Sequence, residues 1–228
     1  MQTAPIIIPP ASCQVPQQQA GQRMILHGVS WATYERLLAD FHDRHAVHFA
    51  YDRGVLEIMA PSAKHEEPNR AIALLVEMLA LELNINVRNL GSTTFKREDL
   101  DRGFEPDTCF YIQTIERVRG KDEIDLTVDP PPDLVIEIDI THPSLDKLPI
   151  YAAVGVPEVW RYDGQQLTIF QLEGGAYRTH EESLALPGLT SQVVSQFIAD
   201  SKTLERLAWL RRVQEWVRKQ REGDGSSN

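Results

Sequence analysis

The stretch from Pro132 to Ile140, with the sequence PDLVIEIDI, predicts a buried β-strand at the centre of the fold. Hydrophobic and β-branched residues dominate it, and prolines stand at its start. Successive side chains of a strand point to opposite faces, so Glu137 and Asp139 share one face and the leucine and isoleucines share the other. A buried carboxylate is costly unless it is paired or binds a metal. These two carboxylates therefore mark a candidate site.

The composition indicates one globular domain with appendages, since the chain has 228 residues and a hydrophobic fraction of 42%. A net charge of -10 argues against a general nucleic-acid binder but leaves room for a local basic groove. Cys13 and Cys109 are too few for a disulfide framework. We find no apolar run of about 18 residues and no signal-peptide pattern, so the expectation is no membrane contact and a reducing, cytoplasmic setting.

The order of predicted elements is helix, hairpin, helix, strands, helix and meander, which is typical of an α/β or α+β chain with a mixed sheet. Residues 1–22 are rich in Pro and Gln and predict a flexible arm. Residues 23–200 form the predicted folded domain. Within it, residues 113–131 are polar and predict an exposed excursion.

Residues 201–228 predict an amphipathic helix followed by a disordered tail. Leucines and valines form one stripe of this helix, and it is also the most basic part of the chain. We expect the stripe to pack on its own domain or on a second subunit, which would make a homodimer. A nucleic-acid contact is the less favoured alternative.

A metal site at Glu137 needs a second carboxylate close enough to bind the same ion. Asp133 lies on the same strand face but about 13 Å away, at roughly 3.3 Å per residue, which is too far to share one ion. Asp107 lies on another predicted strand, and a hairpin-like return would bring it beside Glu137. Mg²⁺ prefers a few carboxylates plus waters, which such a pair would provide. Lys147 is the nearest downstream lysine that could orient a water for attack on a phosphate. The alternative for the two acids is an ion pair with Arg or Lys inside the sheet.

A longer pattern of residues resembles a known family. It is carried by Glu105-Pro106-Asp107, by residues 132–137, by Thr141-His142-Pro143-Ser144, by Asp146-Lys147-Leu148 with Tyr151, and by residues 155–160. Over about residues 30 to 200 this order and spacing resemble the Uma-two family in the PD-(D/E)XK nuclease superfamily. The resemblance implies a restriction-endonuclease-like core, in which a mixed β-sheet is flanked by helices. It also implies a Mg²⁺-dependent site, for which Mn²⁺ would substitute, and a nucleic-acid substrate.

Carried over by position, Asp107 matches the family's first acid, Glu137 its second acid, and Lys147 a lysine displaced onto the following helix. The superfamily's usual lysine position holds Asp139 instead. Asp139 would be either a further metal ligand or the mark of a weakened enzyme. Pro149 leaves the direction of Lys147 open, because a Pro in the first helical turn places Lys147 before the helix.

Two sets of charged side chains have alternative interpretations. His65 and Glu66 begin the long helix, and they either face the site or serve the helix N-terminus; we favour the second. Lys96, Arg97 and Arg102 would approach a phosphate backbone or lie on an ordinary solvated face.

The function that this sequence predicts is a Mg²⁺-dependent endonuclease acting on DNA, with Asp107, Glu137, Lys147 and Asp139 as its candidate catalytic residues. The alternative is an inactive nuclease-fold module that serves nucleic-acid binding or oligomeric assembly. A hydrolase of small phosphate esters is a weaker third possibility.

Overall fold

The computed structural model describes residues 22–41, 47–140 and 145–224, with the side chains of residues 221–224 excepted. Within these ranges the chain forms two β-sheets and five α-helices. The helices are α1 (Trp31–Phe41), α2 (Ala63–Leu83), α3 (Leu148–Val154), α4 (Ser191–Ser201) and α5 (Arg206–Asp224). The strands are β1 (Gln22–His27), β2 (His48–Asp52), β3 (Val55–Ala60), β4 (Arg88–Asn89), β5 (Phe95–Arg97), β6 (Arg102–Phe104), β7 (Thr108–Tyr111), β8 (Leu134–Ile138), β9 (Glu158–Tyr162), β10 (Leu167–Glu173) and β11 (Ala176–His180).

The central sheet is mixed and has the strand order β11-β10-β9-β8-β7-β4. Only β8 and β9 run parallel, and α3 lies in the connection between them. The predicted strand is β8, which sits in the interior of this sheet. Its Leu134, Ile136 and Ile138 are buried in one core with α2, α4 and α5. The predicted mixed sheet flanked by helices is therefore confirmed.

The opposite face of β8 belongs to a second core. Val135 packs there with Tyr151 of α3, with Val159 of β9, and with Phe95 and Phe104 from outside the central sheet. Glu137 lies on this same face, two residues after Val135, because side chains alternate along a strand. The alternation thus separates an apolar face from a face that carries a carboxylate.

A second, antiparallel sheet with the order β1-β3-β2-β6-β5 was not predicted. The β2–β3 hairpin was predicted, whereas β1 and β6 were missed. The three residues of β6 include Gly103, where a Cβ would lie 2.3 Å from the Tyr34 hydroxyl oxygen. Gly103 thus allows the strand to pass close to α1. Because glycine is not a β-branched residue, the sequence of β6 does not indicate a strand. The predicted N-terminal arm, apart from Gln22 in β1, lies outside the described residues.

The prediction of an exposed excursion at 113–131 is wrong for part of that segment. Val118 and Leu126 are buried in the second core. Arg88 of β4 donates hydrogen bonds to the carbonyl oxygens of Val118 and Lys121. The buried side chains of Val118 and Leu126 therefore hold this polar segment against the domain.

The basic C-terminal helix packs on its own domain. The stripe of α5 that holds Trp209, Val213 and Val217 is buried against α2 and α4. The Trp209 indole N–H donates a 2.8 Å hydrogen bond to the carbonyl oxygen of Phe197 in α4. A homodimer through this helix stays a prediction, and residues 225–228 lie outside the described chain. No helix among the described residues has both the length and the apolar character needed to cross a membrane.

Candidate functional site

The pairing of β7 with β8 brings Asp107 beside Glu137. Thr108 is opposite Ile136 in this antiparallel pair, so the register continued by one position sets Asp107 opposite Glu137. The Asp107 Oδ2 atom accepts a 2.7 Å hydrogen bond from the Ile138 backbone N–H, which holds the carboxylate against β8. Asp107 is only 3% exposed. The hairpin-like return expected from the sequence is therefore present, although the connection between the two strands is long.

Two histidines flank Asp107. His65 Nε2 of α2 lies 3.1 Å from Asp107 Oδ2, and His48 Nδ1 of β2 lies 3.5 Å from Oδ1. These are ion-pair distances, yet His65 Nε2, His48 Nδ1 and Asp107 Oδ1 make no hydrogen bond. The helix-terminus interpretation holds for Glu66, which lies in the first turn of α2, but it is wrong for His65, whose side chain is buried and faces Asp107.

The charge of Asp107 depends on these neighbours. Burial alone would raise the pKa of Asp107, but His48, His65 and Lys147 outweigh burial and hold the pKa well below its usual value. Burial alone would likewise lower the pKa of His65, and the carboxylate of Asp107 reverses that shift and raises it. Asp107 is thus an ionised carboxylate in a buried, cationic setting.

Glu137 binds two side chains from the α3 region. Lys147 Nζ lies 2.8 Å from Glu137 Oε2, and the Tyr151 hydroxyl donates a hydrogen bond to Oε1. Lys147 is the N-cap residue of α3, and Pro149 follows in the first helical turn. The side chain of Lys147 points back to β8, where it contacts Glu137. This contact defines the direction of Lys147, which the sequence left open because of Pro149.

The protonation of this pair follows from burial and charge. Burial raises the pKa of Glu137, and Lys147 only partly offsets this effect. Burial would lower the pKa of Lys147, but Glu137 and Asp107 outweigh it and raise the pKa above its usual value. Burial, followed by the charge of Glu137, raises the pKa of Tyr151 well above its usual value. Lys147 and Tyr151 therefore both act as donors at neutral pH.

Asp139 lies in a groove beside this cluster. Its backbone N–H donates a 2.8 Å hydrogen bond to the Tyr162 carbonyl oxygen, so the chain continues along β9 past the end of β8. The groove has a volume of about 230 Å³, and Glu137, Lys147 and Asp139 are among its lining residues. Within the described ranges the Asp139 side chain makes no hydrogen bond or ion pair. The structure therefore brings Glu137, Lys147 and Asp139 to one groove, and it places Asp107 beside Glu137 on the neighbouring strand.

The second sheet adds two buried carboxylates that our sequence reasoning missed. Glu57 of β3 is 1% exposed, and its Oε2 accepts a 2.8 Å hydrogen bond from the Leu145 N–H. Glu105 accepts hydrogen bonds from the Phe49 N–H at 2.8 Å and from the Thr94 hydroxyl at 2.5 Å. Burial raises the pKa of Glu105. A glutamate inside the apolar strand VLEIM was a signal of the same kind as Glu137, and it could have identified Glu57.

Each of the three cations before Asp107 pairs with an acid of the chain, Lys96 at an exposed position and Arg102 at a largely buried one. Lys96 lies 3.2 Å from Glu35, Arg97 lies 2.6 Å from Asp99, and Arg102 lies 2.8 Å from Asp52. A solvated face therefore describes Lys96, whereas Arg102 is held in an ion pair that is mostly shielded from solvent. The family pattern at residues 141–144 lies outside the described residues.

Asp133 has a structural role that leads to a prediction. Its Oδ2 accepts hydrogen bonds from the Ile112 N–H at 2.7 Å, from the Thr114 N–H at 2.9 Å and from the Thr114 hydroxyl at 3.0 Å. We expect Asp133→Ala to lower the free energy of unfolding by about 1–3 kcal/mol, because buried donors lose their acceptor. Urea denaturation measures this, with exposed Asp122→Ala as the control. Equal stability of the two variants would show that these hydrogen bonds contribute nothing.

A mixed sheet with an Asp and a Glu on neighbouring strands, joined by a lysine from the following helix, defines a protein of the restriction-endonuclease-like class. The profile of the Uma2 family, described as "Putative restriction endonuclease", matches residues 31–200. The chain belongs to the Uma2 family, and the resemblance found in the sequence is confirmed.

Among solved structures, the chain is similar to a protein of Anabaena variabilis described as "a putative nuclease belonging to DUF820". The two are 15% identical, the match covers 66% of this chain and 90% of that chain, and the TM-score is 0.47. A search of curated proteins found no match to this chain.

Proposed function

We propose that this protein is a Mg²⁺-dependent endonuclease that hydrolyses phosphodiester bonds of DNA. The observation that carries the proposal is that Asp107, Glu137 and Lys147 converge from three elements, and that Glu137 and Lys147 line an open groove. Structural ion pairs also bury acids beside lysines, but they do not require an open groove lined by the same groups. The family description, which names restriction endonucleases, supports the same reaction and substrate.

The donor set fits a hard divalent cation. Asp107 Oδ1 is buried and makes no hydrogen bond, although His48 Nδ1 lies 3.5 Å away, so it retains lone pairs that a cation could use. Each Glu137 oxygen accepts one hydrogen bond and retains a lone pair. No group of three or more His, Cys, Asp or Glu side chains within 22–41, 47–140 and 145–224 is arranged to hold a metal ion. Two carboxylates completed by water and phosphate oxygens match the way in which Mg²⁺ is usually held.

Each group of the chain has a distinct role in this proposal. Asp107 and Glu137 would hold Mg²⁺, which supplies polarisation of the phosphate and a more acidic water. Lys147 carries a positive charge beside Glu137, where it orients water and stabilises negative charge developing on the phosphate. Tyr151 fixes the other Glu137 oxygen. Asp139 is the residue of the groove that would position a further water.

The test of the proposal is cleavage by the purified protein. Supercoiled plasmid, single-stranded DNA and RNA are each incubated with Mg²⁺, with Mn²⁺, and with EDTA. We expect plasmid nicking or linearisation with either metal and none with EDTA. Absence of cleavage of all three polymers with both metals would contradict the proposal. Binding without cleavage would instead support the inactive nuclease-fold module.

A further inference from the structure

Arg161 of β9 lies beside Glu137 across the parallel strand pair. Glu137 and Arg161 are directly paired in the register of β8 and β9, so their side chains share one face of the sheet. Arg161 lines the same groove as Glu137 and Lys147. Neighbouring strands are about 4.8 Å apart, so this cation starts one strand spacing from the proposed metal-binding acid.

An aromatic ring holds the Arg161 guanidinium in place. Its Cζ atom lies 4.7 Å from the centroid of the Phe170 ring on β10. Stacking covers one face of a guanidinium and leaves the N–H donors on its edge free for an acceptor. The contact with Phe170 therefore positions the Arg161 guanidinium and leaves its N–H groups free to donate hydrogen bonds.

Arg161 differs from the other cations of the groove in having no ion-pair partner among the described residues, although its charge adds to the backbone hydrogen bonds that lower the pKa of Asp163, which follows it in the chain. Lys147 lies 2.8 Å from Glu137, and Arg23 lies 3.6 Å from Glu57. Asp139 and Asp146 also line the groove, yet neither forms an ion pair with Arg161. In the part of the chain that the structure describes, the Arg161 side chain makes no hydrogen bond and no ion pair. A partly buried guanidinium that contacts an aromatic ring and has no ion-pair partner is suited to an anion brought by a ligand.

We infer that Arg161 binds a backbone phosphate of the nucleic acid, next to the phosphate that lies at Glu137 and Lys147. Consecutive phosphates of one strand are separated by more than their axial rise of about 3.4 Å. The Arg161 side chain starts one strand spacing, about 4.8 Å, from Glu137 and is long enough to extend from there to the next phosphate. The planar fork of Arg161 would take two non-bridging oxygens of that phosphate. Arg161 is then a positioning residue that sets the register of the backbone. The inference rests on the proposed function, because it takes nucleic acid as the ligand of the groove.

The test compares DNA binding by the full chain and its variants in EDTA, where no cleavage occurs. Fluorescence anisotropy with a labelled duplex gives Kd over a range of salt concentrations. We expect Arg161→Met to raise Kd five- to tenfold and to reduce the salt slope by about 0.9, the value for one lost phosphate contact. Arg161→Lys should keep most of the slope and recover part of the affinity, because it retains the charge but not the fork.

The matched control is Arg218→Met, which removes the same charge from an exposed position of α5, a helix packed on the other face of the central sheet. Equal Kd and salt slope for Arg161→Met and Arg218→Met would overturn the inference. So would a wild-type protein that binds no duplex. If Arg161→Met fails to fold, the comparison of Arg161→Lys with wild type replaces it, and an unchanged Kd then overturns the inference.

Cleavage assays separate this inference from the proposed function. Arg161-dependent binding by a protein that cleaves nothing would support the inference while the proposed function fails. Cleavage by wild type, with the same KM and salt dependence in Arg161→Met, would overturn the inference while the proposed function stands.

Discussion

Asp107→Asn is expected to reduce metal-dependent DNA cleavage by a factor on the order of 100 to 1,000, a size typical of losing one preorganised electrostatic group. The substitution keeps an oxygen that can accept from the Ile138 N–H but removes the negative charge that the metal requires. The ionised carboxylate is also what His48 and His65 face. Initial rates on supercoiled plasmid at fixed Mg²⁺ measure the effect.

The control for this variant is Asp122→Asn, which makes the same chemical change at an exposed position. Both variants are checked by urea denaturation, so that loss of activity is not loss of fold. A folded Asp107→Asn protein that cleaves at the wild-type rate would rule out Asp107 as a metal ligand.

Lys147→Met is expected to have the second largest effect, on stability and activity together. Removing the ammonium leaves Glu137 without its ion-pair partner at a site where that partner is 9% exposed. Breaking a buried pair in this way costs about 3–5 kcal/mol, part of which is avoided if Glu137 takes up a proton. A protonated Glu137 is a poor metal ligand, so cleavage should fall by at least about 100-fold.

Two comparisons make the Lys147 experiment specific. Lys219→Met removes an exposed lysine of α5 and should leave stability and cleavage unchanged. Lys147→Arg keeps the charge and should recover part of both. Cleavage by a folded Lys147→Met protein at the wild-type rate would show that a lysine is dispensable here, and Asp139 would then be the residue to examine.

Local patterns predicted the elements that carry the two acids and the lysine. β8 is a dense apolar strand, and α3 is the predicted helix that follows it, so Glu137 and Lys147 were assigned to the right elements. The direction of the Lys147 side chain, which the sequence left open, comes from the structure. Asp107 required one long-range assumption, a return to the neighbouring strand, and the β7–β8 register confirms it. These inferences succeeded because period-2 alternation and helix termination are local signals.

The surroundings of the site depend on contacts that local patterns do not contain. β6 has only three residues and includes Gly103, so neither length nor propensity indicates a strand. Without β6 the predicted β2–β3 hairpin is not joined to the segment that leads to Asp107, so the positions of His48, Glu57 and Glu105 near the site could not be predicted. His65 was ambiguous for a different reason, since a residue in the first helical turn can serve the helix end or point inward, and only the packing of α2 decides.

The structure changes the interpretation of Asp139. It occupies the usual lysine position of the superfamily, which raised the prospect of an inactive protein. Lys147 reaches Glu137 from α3 and supplies a charge at that place from another element. Asp139 is left in the groove with a side chain that has no partner in the described chain, as an acceptor available to water or substrate.

The central claim is that Asp107 and Glu137 together hold a divalent cation. Crystals soaked in Mn²⁺ and measured for anomalous scattering test it most directly, with Asp107→Asn crystals as the control. The account predicts one anomalous peak between the two carboxylates in the wild-type protein and none there in the variant. A saturating soak that gives no peak at that position, or an equal peak in Asp107→Asn, would contradict it.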